Sequence, residues 1–198
     1  MFSELKQFNI GGAWVYVAQF DEATEVKPVL PAIRQQLIER CADLQTKRQR
    51  YCVWQLLDYA LKQRIGNGVD ELEFTVDGNG KWSCNGGVEF SLSHSGNAVA
   101  VAVSEQPVGI DVEVLDVERF NDRLAERILT VNERKHYDSL PIEKRPQALA
   151  AAWTQKESLF KLGSDKSFVS NAIDTTKSKS YCQIIKFGNS DYVVAVTR

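Results

Sequence analysis

Strand-like segments, in which apolar and polar residues alternate or β-branched residues run together, occur in both parts of the chain. The clearest is the segment 13–20, which is rich in aromatic and β-branched residues. The sequence Asp-Gly-Asn-Gly at 77–80 is typical of a tight hairpin turn. The predicted strands are residues 13–20, 71–76, 90–93, 98–103 and 108–114.

Apolar residues at helical spacing predict helices between these strands. In the longer N-terminal helix Tyr51, Trp54 and Leu61 recur on one face, and Gly66 stands just past its end. Thr-Val-Asn-Glu at 130–133 is a capping-box sequence, which predicts the start of a short helix. The other predicted helices are residues 31–44, 47–62 and 147–162.

Two Val-rich segments resemble each other. A Gly-Asn pair leads into an apolar run at 99–103 and again at 192–196, and each run follows a helix that bears a tryptophan, Trp54 or Trp153. From the sequence alone, chance likeness of two hairpins and a repeat of two similar α+β halves explain this pattern equally well. The second explanation divides the chain near residues 105–107.

Composition narrows the class of protein. The chain has 198 residues, 43% hydrophobic and 25% charged, which is typical of a globular protein of one or two domains. Its formal net charge of −2 argues against a nucleic-acid partner. No run is long enough to span a membrane, no signal-peptide pattern is visible, and the four cysteines form no Cys-x-x-Cys pair. We therefore expect a cytoplasmic protein that binds neither membrane nor nucleic acid.

Two acids on one predicted strand are the first candidate for chemistry. Residues 109–113 read Gly-Ile-Asp-Val-Glu, so Asp111 and Glu113 project from the same face of the strand. Carboxylates about 5 Å apart repel by roughly 3 kcal/mol at an effective dielectric of about 20, and a cation between them relieves this. Oxygen ligands of this kind suit Mg²⁺. Two ordinary solvated acids are the alternative, and this segment alone favours them.

The helix at 147–162 carries charged residues on its aromatic side. Trp153 and Phe160 share a face with Lys156 and Glu157 between them, and Lys161 follows Glu157 by one turn. A break of this kind in an amphipathic pattern is more often functional than accidental. A surface pair between Glu157 and Lys161, worth about 0.3–0.5 kcal/mol, is the alternative.

A third stretch, Phe-Ser-Leu-Ser-His-Ser-Gly at 90–96, predicts a strand that ends in a polar turn. Adjacent Ser93 and His94 do not form a nucleophile–base pair, and no Gly-x-Ser-x-Gly elbow is present, so a serine hydrolase is not expected. Hydroxyls, an imidazole and backbone N–H groups in one turn suit a phosphate instead.

Together these stretches resemble the Sfp-type phosphopantetheinyl transferases. The residues at 90–96, 109–113 and 153–161 occur in family order, and the last fits the pattern Trp-x-x-Lys-Glu-x-x-x-Lys at every fixed position. The resemblance implies an α+β fold of two pseudo-symmetric α/β halves with the active site at their interface. Residues 1–104 would form the coenzyme A side and residues 105–198 the Mg²⁺-binding half.

The resemblance also implies an activity: Mg²⁺-dependent transfer of the 4′-phosphopantetheine arm of coenzyme A to a serine of an acyl or peptidyl carrier protein, by a monomer, with release of adenosine 3′,5′-bisphosphate. By motif position Asp111, Glu113 and Glu157 would hold Mg²⁺, with Glu157 as general base and Lys161 as the second catalytic residue. Residues 115–140 would meet the carrier protein. The implied coenzyme A contacts are Arg50, Lys81, Ser93, His94, Lys156 and Lys161.

Two other functions stay open from the sequence. A non-catalytic binder of coenzyme A or of a carrier protein could share the fold, although keeping three acids and two lysines together argues against a lapsed site. An Mg²⁺-dependent nuclease could use the same acids, although the near-neutral charge argues against a nucleic-acid substrate.

Overall fold

The computed structural model describes residues 2–78, 80–163 and 167–198, so Asn79 of the predicted turn lies outside the described residues. The chain has a mixed α/β fold that divides into two compact units, Met1–Val108 and Gly109–Arg198. Within the described residues, no helix combines the length and the apolar character that crossing a membrane requires. The assignment of coenzyme A to residues 1–104 and of Mg²⁺ to residues 105–198 stays a prediction.

The N-terminal unit contains a four-stranded antiparallel sheet, a two-stranded ribbon and two helices among its described residues. The elements are β1 (Phe2–Ile10), β2 (Ala13–Phe20), α1 (Ala32–Glu39), α2 (Leu44–Ile65), β3 (Phe74–Val76), β4 (Trp82–Cys84), β5 (Glu89–Ser95) and β6 (Ala98–Ser104). The sheet order is β1-β2-β6-β5, and β3 pairs with β4.

Helix α2 packs on this sheet and forms the core of the unit. Trp54 is fully buried, and its ring lies 4.9 Å from that of Phe74 and 5.0 Å from that of Trp82. The helix begins earlier than predicted because the Asp43 side chain accepts a hydrogen bond from the first-turn backbone, and it ends at Gly66, whose φ of 81° suits glycine. Because Asp43 caps α2, it cannot belong to α1, and α1 ends at Glu39 instead of at the predicted residue 44.

The C-terminal unit is a three-stranded antiparallel sheet with helices. Its elements are β7 (Gly109–Val114), α3 (Asp122–Ile128), α4 (Val131–Ser139), α5 (Arg145–Leu162), β8 (Tyr181–Phe187) and β9 (Ser190–Thr197). The sheet order is β7-β9-β8, and α5 packs across β7 and β9. The predicted capping box is confirmed: Thr130 and Glu133 exchange side chain-to-backbone hydrogen bonds of 3.3 and 2.8 Å.

Each unit contains a strand, a long helix and an antiparallel hairpin in the same order along the chain. The helix packs on a sheet in which the last strand lies between the other two, β2-β6-β5 in one unit and β7-β9-β8 in the other. Both hairpins turn at a glycine with φ of 54°, Gly96 and Gly188. The pseudo-symmetry of the two halves stays a prediction, which this repeated order supports.

Candidate functional site

The start of strand β7 lies unusually close to helix α5. A Cβ atom at Gly109 would stand 1.9 Å from the carbonyl oxygen of Ser158 and 2.7 Å from the backbone nitrogen of Leu162. Since those are backbone atoms of a helix, no side chain can be accommodated there. The glycine thereby brings Asp111, two residues further along the strand, beside the last turns of α5.

Asp111 forms an ion pair with α5. The ammonium group of Lys161 donates a hydrogen bond of 2.7 Å to its Oδ1 atom. Asp111 is only 4% exposed, and Lys161 is half-buried. A charge-assisted hydrogen bond in so buried a position holds both side chains in a defined orientation. Two residues predicted for the site, one a metal ligand and one a catalytic lysine, therefore lie in direct contact.

Two residues donate hydrogen bonds to the carboxylate of Glu113. The guanidinium of Arg119 donates two hydrogen bonds to its carboxylate, at 2.7 and 2.9 Å, and the indole nitrogen of Trp153 donates a third of 2.8 Å. The hydrogen bond to Glu113 raises the pKa of Arg119. Arg119 is missing from the predicted site, because an arginine six residues after an acid in a loop has no periodic signal. The tryptophan was visible as part of the motif.

Glu157 lies one helical turn from both Trp153 and Lys161, on the face of α5 that contacts β7. Its pKa is raised to about 7, first by burial and then by the charge of Asp111, with Lys161 acting in the opposite direction. The charge of Glu113 raises this pKa further. Both strand acids therefore repel Glu157, and a cation beside it is electrostatically favourable.

The fit of this set to Mg²⁺ depends on chemistry and on arrangement. Three carboxylates are the hard oxygen donors that Mg²⁺ prefers. Within residues 2–78, 80–163 and 167–198, no group of three or more His, Cys, Asp or Glu side chains is already in position to hold a metal ion. Instead Asp111 and Glu113 contact Lys161 and Arg119. The residues fit the ion by their chemistry, and binding it requires an exchange of these cationic partners.

Lys156, predicted to contact the phosphates of coenzyme A, lies in the interior of the C-terminal unit. Its side chain has no exposed surface, and its ammonium group donates to the carboxylate of Glu133 at 2.7 Å and to the carbonyl of Ile173. The ammonium group is directed at these partners and away from solvent, and its contact with coenzyme A stays a prediction. Consecutive helical residues point about 100° apart, so Lys156 and Glu157 do not share one face as predicted.

The predicted position of Trp153 and Phe160 on one face of α5 is confirmed. The rings of Trp153 and Phe160 both contact Phe168, with ring centroids 5.5 and 5.3 Å apart. The two residues, separated by seven positions on α5, therefore share a face, and that face is covered by a segment that follows the helix.

The remaining predicted coenzyme A contacts belong to the N-terminal unit. Arg50 lies on α2, half-buried, and donates a hydrogen bond of 2.9 Å to the carbonyl of Leu37. Lys81 immediately precedes β4 and is half-buried. Ser93 and His94 lie on β5, the first buried and the second half-buried. Their binding to coenzyme A stays a prediction.

Arg34 is a neighbour of Arg50 that the predicted site does not include. It is 6% exposed, donates to the backbone carbonyl of Arg50 and lies with its guanidinium 4.9 Å from the ring of Trp54 and 5.8 Å from that of Trp82. Burial, followed by the charge of Arg50, lowers its pKa to about 10. Arg34 therefore fixes the backbone of α2 at Arg50.

Comparison with known proteins gives a consistent family. The family model described as the 4′-phosphopantetheinyl transferase superfamily matches residues 107–196. The chain is 28% identical over 140 residues to 4′-phosphopantetheinyl transferase psf-1 of Bacillus pumilus, covering 70% of this chain and 59% of that protein's length. It is 26% identical over 163 residues to 4′-phosphopantetheinyl transferase AcpT of Escherichia coli O157:H7, covering 79% of this chain and 78% of the relative.

Proposed function

We propose, from the match of residues 107–196 to the family model of the 4′-phosphopantetheinyl transferase superfamily, that this chain transfers the phosphopantetheine arm of coenzyme A to a serine of an acyl or peptidyl carrier protein. Adenosine 3′,5′-bisphosphate is the leaving group. The observation that carries the proposal is the face of α5 on which Trp153 contacts Glu113, Lys161 contacts Asp111, and Glu157 lies between them. That face combines acids for proton transfer with a cation for phosphate.

The reaction forms one bond and breaks one. The serine oxygen attacks the phosphorus atom that bears the pantetheine arm, and the bond from that phosphorus to the bridging pyrophosphate oxygen breaks. Glu157 is the proposed general base, which accepts the serine proton. Its raised pKa of about 7 makes it a stronger base than an ordinary glutamate. Lys161 would offset the negative charge that develops on the phosphates.

Mg²⁺ belongs to the proposal, with Asp111, Glu113 and Glu157 as its ligands. When bound, the ion would supply a Lewis acid for the pyrophosphate. Arg119 holds Glu113 and Lys161 holds Asp111 in the present orientation. How easily the three carboxylates assemble around the ion therefore depends on how easily these two cations move.

The partners and setting are proposed from the sequence and from the relatives. Arg50, Lys81, Ser93 and His94 are the proposed contacts to coenzyme A, and residues 115–140 are the proposed region for the carrier protein. The two halves are proposed to be pseudo-symmetric, and the protein to act as a cytoplasmic monomer. No nucleic acid or membrane is expected to take part.

The test is an intact-mass measurement on an apo acyl carrier protein after incubation with this protein, coenzyme A and Mg²⁺. We expect a gain of one phosphopantetheine group that is absent when EDTA replaces Mg²⁺ and absent with the Glu157→Gln variant. A peptidyl carrier protein is tested in parallel, so that carrier preference is not mistaken for inactivity. No mass gain on either carrier, with coenzyme A still bound by calorimetry, would instead support the non-catalytic binder.

A further inference from the structure

We infer that Lys156 and Glu133 form a buried ion pair whose role is to position helix α5, and with it Glu157, for the transfer reaction. The inference rests on the proposed function for the role of Glu157. Lys156 is 0% exposed and Glu133 is 5% exposed, and the ammonium nitrogen lies 2.7 Å from the carboxylate oxygen Oε2. Lys156 is thereby a positioning residue and not a ligand of the substrate.

The carboxylate of Glu133 is fully occupied. Its Oε2 atom accepts from Lys156 and from the backbone N–H of Thr130 at 2.8 Å, and its Oε1 atom accepts from the backbone N–H and the hydroxyl of Thr175 at 2.9 and 2.6 Å. Burial alone would raise the pKa of Glu133, but the hydrogen bonds from Lys156, Thr175 and the Thr130 backbone outweigh it, and the pKa is lowered. Glu133 is therefore held as a carboxylate in the folded protein.

Three separate segments meet at this pair. Glu133 stands in the first turn of α4, Lys156 in the middle of α5, and Ile173 and Thr175 in the connection between α5 and β8. A hydrogen bond of 3.0 Å from the side chain of Asn132 to Asp174 joins α4 to the same connection a second time. The ion pair thus holds the connection and α4 against one side of α5.

This attachment sets the rotation of α5 about its own axis. Trp153, Glu157 and Lys161 are spaced four residues apart, so they form one stripe along the helix, and that stripe contacts β7. Lys156 points about 100° away from Glu157, toward α4. Because both partners of Lys156 lie on that side of α5, the stripe that carries Glu157 is directed at Asp111 and Glu113.

The experiment compares Lys156→Met with the double variant Lys156→Met/Glu133→Gln, which removes both charges. The single variant leaves a buried carboxylate without its cation, so we expect its Tm to fall by about 10 °C. We expect kcat to fall by about tenfold or more, because a small misplacement of a catalytic group is costly, while the Kd for coenzyme A stays within about twofold. The double variant should recover most of the Tm and of kcat.

A spectroscopic readout follows the geometry independently of activity. The indole N–H of Trp153 donates to Glu113, so its proton resonance in a ¹H,¹⁵N spectrum reports the position of the stripe. Trp153→Phe assigns that signal among the four tryptophans. We expect the signal to shift upfield in Lys156→Met and to return in the double variant. If the wild-type protein transfers nothing, the proposed function fails, whereas this signal still tests the ion pair.

Lys177 provides the matched control, since it is an exposed lysine paired with Asp174 at 3.8 Å on the same connection. Lys177→Met should change neither Tm nor kcat. Should Lys156→Met not fold, Glu133→Gln keeps the hydrogen-bonding shape and should give the same pattern in weaker form. A tenfold weaker Kd for coenzyme A without rescue in the double variant would make Lys156 a substrate ligand and overturn the inference. A lower Tm with unchanged kcat and an unmoved indole signal would also overturn it.

Discussion

Lys161 and Asp111, 50 residues apart in sequence, form a 2.7 Å ion pair between the last turns of α5 and the middle of β7. The contact depends on the close approach of the two elements at Gly109. It places a cation directly against a carboxylate that the proposed function assigns to Mg²⁺. The same two side chains therefore contribute to the stability of the unit and to its proposed chemistry.

Replacing Lys161 by Met should affect both properties. The buried Asp111 carboxylate loses its cation, so the free energy of unfolding should fall by about 2 kcal/mol. Transfer should fall by about 100-fold, because the charge that develops on the phosphates is no longer offset. Urea denaturation and a single-turnover transfer assay measure the two effects. In a double-mutant cycle with Asp111→Asn the two stability losses should be strongly non-additive, and additive losses would contradict a direct contact.

Glu157→Gln should separate activity from stability. The variant should lose nearly all transfer, while the metal-free protein becomes more stable at pH 8 by about 3 kcal/mol, because a buried and repelled carboxylate is replaced by a neutral amide. An acid whose pKa rises from 4.5 unfolded to about 7 folded loses stability as the pH rises between those values. The advantage of the variant should therefore be absent near pH 4.5, grow with pH and be complete above pH 7. Urea denaturation in EDTA at several pH values checks this, and a constant difference between variant and wild type would be inconsistent with it.

Gly109→Ala should separate β7 from α5. The added Cβ meets the backbone of Ser158 and Leu162 within 2.7 Å, and a helix backbone cannot yield, so we expect a loss of at least about 3 kcal/mol in the free energy of unfolding. The matched control is Gly78→Ala, where no atom lies within 4 Å of the added Cβ. That variant should unfold within about 0.5 kcal/mol of the wild-type protein. Equal stability of the two variants would mean that the close approach at Gly109 is not required.

Arg119→Gln should strengthen metal binding. In the wild-type protein an ion must displace a guanidinium that donates two hydrogen bonds to Glu113, and each such bond to a charged group is worth about 1.5–3 kcal/mol. Removing the guanidinium should tighten Mn²⁺ binding, measured by electron paramagnetic resonance without substrate, by about tenfold. Arg134→Gln is the control, because Arg134 also donates two hydrogen bonds to a carboxylate, that of Asp138 on α4, which is not a proposed metal ligand. Weaker Mn²⁺ binding in Arg119→Gln would show that the arginine instead holds Glu113 in its ligand orientation.

The sequence predicts the secondary-structure elements that depend on interactions between residues close together in the chain. Strand β2 matches the predicted residues 13–20, the capping box of α4 forms as predicted, and α2 ends at Gly66. Alternation, capping and glycine turns act over a few residues, so a single sequence reveals them. The three acids and the lysine–glutamate motif were visible for the same reason, since each has a short and specific spacing.

The tertiary structure decides what depends on distant partners. Strand β1 carries Glu4 and Lys6 at positions where apolar alternation would need apolar residues, so pairing with β2 is what makes it a strand. The partner of Glu113 is an arginine in a loop, and the partner of Lys156 is the capping residue of another helix. The chain by itself determined which charged residues exist and which secondary structure carries them. Packing decided which charges pair, because the strength of an ion pair depends on the distance between its charges in space. A step of one residue around α5 separates Lys156, which is buried against Glu133, from Glu157, which faces the acids of β7.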